Sequence, residues 1–338
     1  MKQIFTVFLL ISICLGCKKD DEINPVYTGW IYQTSLRSAN NYPVQCIIKI
    51  NVADGSSDTV YFDTYVKETP NSVSSKSLIS SSFDIDRAQK RIALLTTEKQ
   101  GWQVSSNISI YDLATEKLLQ QIPIEDLPEG PWDIKFSTDG TQVAVSYGSK
   151  FDRPARVYVY KLTETTPYRV FNGYNEFEWL PDGRILLYLN NYQIDGLEVG
   201  DPATGNTSRF LTFNLFNGRW KIDISPDGQK ILFSDRDIDK NLWIMNIDGT
   251  GLTQITDSDY SLYKAQWSSD GKYIMFAVSG QYKFVHYPIT ASHNATLAIP
   301  ADGKMYSIKS SKNEAIEFYM WFAEKSEIEM SAPQYWIR

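Results

Sequence analysis

Residues 235–241 read Asp-Arg-Asp-Ile-Asp-Lys-Asn, and carboxylates at alternate positions, here Asp235, Asp237 and Asp239, are how an oxygen-ligand loop for calcium begins. The rest of such a loop is missing. Its sixth position, where a glycine makes the turn, is Lys240, and its twelfth, where a glutamate closes the site, is Asn246. Calcium is therefore the one cofactor with candidate ligands, and the expectation is a chain without a cofactor. His286 falls in a strand-like run and His293 in the turn after it, so each reads better as a structural or exposed imidazole than as half of a metal pair. The remaining side chains with chemistry to offer are aromatic rings beside amide and guanidinium donors: Trp102, Tyr147, Phe151, Arg153, Tyr174, Tyr192, Phe216, Arg219, Arg236, Tyr260, Tyr263 and Tyr282. Such groups suit stacking on a sugar or anchoring a protein partner.

Composition narrows the function classes. Two His and three Cys (Cys14, Cys17, Cys46) leave little material for metal centres or nucleophilic triads, whereas 9 Trp, 21 Tyr and 16 Phe provide for a large core. At 43% apolar and 22% charged residues the chain is neither disordered nor a multi-span membrane protein. A net charge of −7 without a basic segment argues against nucleic acid, because neutralising phosphates requires clustered Lys and Arg.

The N-terminus carries an address. Ile4 to Leu15 is an apolar run of 12 residues, short of the roughly 20 that span a bilayer but suited to the hydrophobic region of a signal peptide. It ends in Leu15-Gly16-Cys17 and gives way to Lys18-Lys19-Asp20-Asp21-Glu22, which resembles the lipobox of bacterial lipoproteins, with Cys14 where the family usually has Leu. The resemblance implies a signal peptide over 1–16, diacylation of Cys17 and a polar tether over 17–26. Lys19-Asp20-Asp21 is similar to the signal that sends some Gram-negative lipoproteins to the outer face of the outer membrane. The implied location is the outer membrane, facing the periplasm or, preferably, the cell surface. Cys46 is then a lone thiol, read as buried in a strand.

The elements that must position the aromatic candidates repeat along the chain. Phe136-Ser137-Thr138-Asp139-Gly140, Trp179-Leu180-Pro181-Asp182-Gly183, Ile224-Ser225-Pro226-Asp227-Gly228 and Trp267-Ser268-Ser269-Asp270-Gly271 share one pattern, with glycines 43, 45 and 43 residues apart. Each precedes a second apolar run, as in Val143-Ala144-Val145 or Ile231-Leu232-Phe233, which makes a β-hairpin. Degenerate copies begin at Ile85 and Ile308, aligning Gln89 and Asn313 with the glycines. Third strands are expected at 108–111, 157–160, 197–199, 242–245 and 284–287, and fourth strands at 118–122, 168–171, 208–211, 252–255 and 296–299. Four short strands in about 40 to 50 residues is the signature of a propeller blade. The copy over 224–256, with Ser225-Pro226-Asp227-Gly228, Phe233-Ser234-Asp235-Arg236 and Met245-Asn246-Ile247-Asp248-Gly249, resembles the TolB-like, WD40-like propeller repeat. No Gly-x-Ser-x-Gly occurs, so the hydrolase domain that accompanies such propellers in prolyl-oligopeptidase-like enzymes is not expected. Sialidase boxes also fail to match, because Asp and Gly are adjacent here.

The fold expected is therefore all-β: one β-propeller over 27–338, of seven four-stranded blades, or of six with a composite closing blade as in TolB. Strands from the two ends of the chain complete one blade together. The aromatic candidates fall in loops joining second to third strands and in loops joining blades, which lie on the ligand face. What the resemblance implies is a non-catalytic, monomeric interaction platform binding an envelope protein or a glycan. A carboxylate-based glycan- or lactone-active enzyme, with or without calcium, is the alternative. Cys17→Ala is expected to move the protein from the membrane to the soluble fraction, as read by fractionation of cells expressing each form.

Overall fold

A strand, a tight turn and a returning strand form the local unit of this chain, and the computed structural model shows where those units sit. The structure describes residues 30–39, 42–51, 56–60, 65–69, 72–86, 88–100, 103–124, 131–147, 154–191, 194–213, 222–234, 241–258, 261–279, 282–283, 290–291, 295–308 and 334–337. The signal segment, the tether and Cys17 lie outside them. Among the described residues no helix is long and apolar enough to cross a membrane.

All described elements are strands. The first sheet holds β1 (Trp30–Ala39), β2 (Tyr42–Asn51) and β3 (Ser57–Val60), and the second holds β4 (Tyr65–Thr69), β5 (Ser72–Asp86), β6 (Arg91–Gln100), β7 (Gln103–Asp112) and β8 (Leu118–Ile124). The third runs β9 (Pro131–Phe136), β10 (Gln142–Tyr147), β11 (Arg156–Lys161), β12 (Arg169–Asn172), and the fourth β13 (Tyr174–Trp179), β14 (Ile185–Asn191), β15 (Ile194–Gly200), β16 (Thr207–Phe213). The fifth comprises β17 (Ile222–Ile224), β18 (Lys230–Ser234), β19 (Leu242–Asn246) and β20 (Thr253–Gln254), after which comes β21 (Thr256–Ser258). A sixth sheet starts with β22 (Ser261–Trp267) and β23 (Tyr273–Ser279); the chain continues through β24 (Tyr282–Lys283), β25 (Thr290–Ala291), β26 (Ala295–Pro300), β27 (Tyr306–Ile308) and β28 (Gln334–Ile337). β28 pairs antiparallel with β1, Trp30 opposite Ile337 and Gln33 opposite Gln334, so the first sheet is built from both ends of the chain. The architecture is a β-propeller, all-β and antiparallel within each blade.

The Ser-x-Asp-Gly turn explains itself in atoms. Asp139 Oδ1 accepts from Ser137 Oγ at 2.6 Å and from the Thr141 amide at 2.9 Å, Ser137 Oγ accepts from the Gln142 amide at 2.9 Å, and Gly140 sits at φ +68°. Ser225 with Asp227 and Ser268 with Asp270 repeat the hydroxyl-to-carboxylate bond at 2.6 and 2.7 Å. The fourth sheet replaces the serine with Leu180 and so loses the hydroxyl bonds, but keeps the bond from Gly183 to the Leu180 carbonyl and that from the Arg184 amide to Asp182 Oδ1 at 3.1 Å. In the degenerate second sheet the register is the same, Ile85 opposite Ile92 as Phe136 is opposite Val143, but the left-handed residue moves one place, to Lys90 at φ +53°.

Both faces of a sheet are apolar, so each is covered by the next sheet around the ring. Ala93, Leu95, Ile108 and Ile110 of the second sheet pack on Ile134, Phe136, Val143 and Val145 of the third. Ala144, Val157 and Val159, on the third sheet's other face, pack on Phe177, Trp179, Ile185 and Leu187. The fourth sheet's far side, with Leu186, Tyr188 and Leu197, packs on Ile231, Phe233 and Met245. Ile47 and Val60 of the first sheet pack on Phe83, Ile92 and Leu94.

The sixth sheet departs from expectation. β26 pairs directly with β23, Ile274 opposite Ile299, so residues 296–299 occupy the third position rather than the fourth, and the pair β24–β25 is inserted before it. Residues 284–287, expected as that third strand, lie outside the described residues. β27, expected to open a further blade, pairs in parallel with β21, Thr256 beside Tyr306, and the Tyr306 amide donates to the Ile255 carbonyl at 2.9 Å. A longer insertion with a strand-like pattern shifted the apparent repeat by one strand.

Two turn glycines separate backbone strain from packing. Gly228 lies at φ +69° with the Pro181 ring of the preceding sheet where a Cβ would go, whereas Gly183, at φ +82°, faces open space. Gly183→Ala is expected to cost about 1 to 2 kcal/mol from the left-handed backbone alone. Gly228→Ala should cost more, because the collision adds to the same strain, and the difference reads out as a lower denaturant midpoint.

Candidate functional site

The residue preceding the last apolar position of each first strand is polar: Asp84 on β5, Lys135 on β9, Glu178 on β13, Asp223 on β17 and Gln266 on β22. Alternation decides where these side chains go. Ile134 and Phe136 pack against the preceding sheet, so Lys135, between them, turns to the following one. There its ammonium makes an ion pair with the Glu178 carboxylate, and the two side chains are only 17% and 12% exposed. Glu178 also accepts from the Trp179 amide at 3.2 Å, while the Trp179 indole donates back to the Lys135 carbonyl at 3.1 Å.

The same position is used differently on either side. Asp84 Oδ2 accepts from the Phe136 amide of the next sheet at 2.7 Å, and Asp223 Oδ2 accepts from the Trp267 amide of the next sheet at 2.6 Å. Four successive first strands therefore carry three carboxylates and one ammonium at one level, each bonded across a blade boundary. Burial dominates the titration of Asp84 and Glu178. It pushes Asp84 up to about 6, against the opposing pull of the Phe136 N–H and Lys135. It also draws Glu178 up from the usual carboxylate range, although Lys135 works the other way. For Lys135, burial alone would depress the ammonium, but Glu178, Asp133 and Asp223 outweigh it and hold the lysine protonated.

This ionic layer was not among the residues singled out from sequence. Its signal was present: the interruptions of the apolar pattern at 84, 135, 178, 223 and 266 keep the spacing of the turn motif. The two aromatic candidates whose side chains are described do not present their rings to solvent. Tyr147, ending β10, is buried and meets Tyr158 edge-on with centroids 5.1 Å apart. Tyr174, opening β13, is buried with its hydroxyl donating to the Glu198 carboxylate, and burial together with that carboxylate pushes it up to about 12. Tyr263 lies on β22 and Tyr282 opens β24. Trp102, Phe151, Arg153, Tyr192, Phe216, Arg219, Arg236 and Tyr260 lie outside the described residues, as do Asp235, Asp237 and Asp239. Among the described residues no three His, Cys, Asp or Glu side chains are grouped to hold a metal ion.

Comparison with known proteins identifies the fold. No protein-family model matches the chain. A segment of 94 residues, 25% of the chain, is 36% identical to dipeptidyl-peptidase 5 of Porphyromonas gingivalis and spans 14% of that protein's length. TolB from Acinetobacter baumannii superposes with a TM-score of 0.57 at 16% identity, covering 92% of this chain and 67% of that one. A putative TolB from Agrobacterium tumefaciens superposes with a TM-score of 0.51 at 18% identity, covering 82% and 87%. A chain of the nidogen/laminin complex gives 0.50 at 14% identity, covering 79% and 96%. The fold is that of the TolB-like β-propellers.

Removing one member of the ionic layer leaves the others without their counter-charge. Lys135→Met is expected to destabilise the protein by about 3 to 5 kcal/mol in chemical denaturation, and Lys135→Met with Glu178→Leu to recover most of that loss, since an apolar pair has no charge to leave unpaired.

Proposed function

We propose that this chain is an envelope lipoprotein of a Gram-negative bacterium, tethered through Cys17, whose propeller holds a protein partner or a glycan on one face without catalysing a reaction. The observation that carries the reading is the length of two hairpins joining second to third strands. Among the described residues β28 pairs with β1 over 30–33 and β3 with β2 over 47–50, while β1 and β2 stay paired to Ala39 opposite Tyr42. Five further residue pairs, 35–39 with 42–46, carry this hairpin about 17 Å past both neighbours at the usual strand rise. In the second sheet β6 and β7 likewise stay paired to Gln100 opposite Gln103, flanked by β5 over 74–78 and by β4.

Hairpins joining second to third strands emerge on the same side of every blade, so both extensions rise from the face on which the aromatic candidates fall in the chain. Backbone-paired ribbons are stiff, and stiff projections lose little entropy when a partner docks. Among the described first-strand carboxylates, Asp84, Glu178 and Asp223 are engaged by backbone amides and Lys135, which favours binding over catalysis. One solved structure of the same fold comes from a complex between two proteins, nidogen and laminin.

Trp102, which follows β6 in the chain, with Phe216 and Tyr260 are the side chains to remove. Their triple alanine variant is expected to keep the wild-type melting temperature and to lose at least about tenfold in affinity for whichever glycan on an array, or purified envelope protein, the wild type binds, given about 1 kcal/mol or more per anchoring ring. Identical binding by variant and wild type would reject the reading.

A further inference from the structure

The layer formed by Asp84, Lys135, Glu178 and Asp223 has more carboxylates than cations, and every member belongs to a different blade. Glu178 lies on β13. It is faced from β9 by Lys135, from β17 by Asp223 and from β5 by Asp84, while Asp133, also on β9, acts on Lys135 and Asp84. Glu176 is on its own strand, the neighbouring strand β14 places uncharged Leu186 opposite it, and β22 contributes Gln266 at the same level, with Lys264 two residues earlier. Among the described residues the Lys135 ammonium thus serves Glu178, Asp133 and Asp223 at once, while Asp84 stands close enough to repel Glu178. The bonds that close the layer run between blades: Lys135 to Glu178, the Phe136 amide to Asp84, and the Trp267 amide to Asp223.

We propose that this layer is a proton-operated clamp on four consecutive blades, taking up protons as the surroundings acidify and so relieving the repulsion among buried carboxylates that share one ammonium. The direction follows from burial. A carboxyl raised in the folded state is protonated there while its unfolded counterpart is ionised, so the folded chain gains stability as pH falls through that interval and loses it as pH rises. For Asp84 the interval ends at about 6, and Glu178 shifts in the same direction. The turn carboxylates behave oppositely and elsewhere. Asp139, Asp182 and Asp227 are held below the usual range by bonds from Ser137, Arg184 and Ser225, so their contribution is lost only in stronger acid, below the ordinary value of 3.8.

Thermal unfolding of the full-length protein at fixed ionic strength tests the clamp. The melting temperature is expected to be about 3 to 6 °C higher near pH 5 than near pH 8. Asp84→Asn with Glu178→Gln should remove at least half of that difference while keeping acceptors for the Phe136 and Trp179 amides. If the double variant does not fold, Asp84→Asn alone carries the test, with a smaller but measurable loss of slope. A wild-type melting temperature that is flat or falls on acidification would overturn the proposal, and so would variants that keep the full wild-type slope.

Discussion

Each blade of this protein is apolar on both faces, and a sheet with two apolar faces cannot stand at the end of a row. Ala144 and Val159 look one way and Val143 and Val145 the other, so the third sheet requires a neighbour on each side, and each neighbour makes the same demand in turn. A ring meets that demand without leaving an uncovered end, as the joining of β28 to β1 illustrates. The rest of the architecture follows from keeping sheets stacked about a common axis: tight turns on one side, longer hairpins on the other, and a convergence of first strands at the centre.

Convergence has an electrostatic cost that the sequence handles locally. Side chains at the same position of successive first strands approach one another near the axis, and identical carboxylates there would repel. Lys135 among Asp84, Glu178 and Asp223 is one remedy, and bonding a carboxylate to the next blade's amide is the other. Both bind blade to blade by directional contacts, where the apolar clusters supply only non-directional burial.

Much of this was readable from the amino acids alone. Ser137, Asp139 and Gly140 announce their hairpin because a left-handed residue, a hydroxyl and a carboxylate at that spacing close a turn through bonds within the turn itself. The same holds for 225–228 and 268–271. What escaped reading depended on partners far away in sequence. Lys135 and Glu178 look like ordinary strand charges until the two sheets are stacked, and Tyr147 and Tyr174 look like loop-facing rings until their neighbours bury them. The sixth sheet misled for a third reason: residues 296–299 have the pattern of a strand, but a pattern does not say which neighbour the strand will take.

Closure through β28 and β1 also sets when the molecule can finish folding. Trp30 and Ile337 meet across a separation of 307 residues, the most remote pairing in the described ladders. The entropy of bringing such distant segments together grows only slowly, about 0.6 kcal/mol per doubling of the loop, so the equilibrium penalty is modest. The timing is another matter, because a chain dominated by distant pairings folds slowly. Until residues 334–337 arrive, β1 offers an unpaired edge beside a growing stack of finished blades, and a second strand from any source can take that place. The molecule is thus most exposed to mispairing in the interval between making its first strand and making its last.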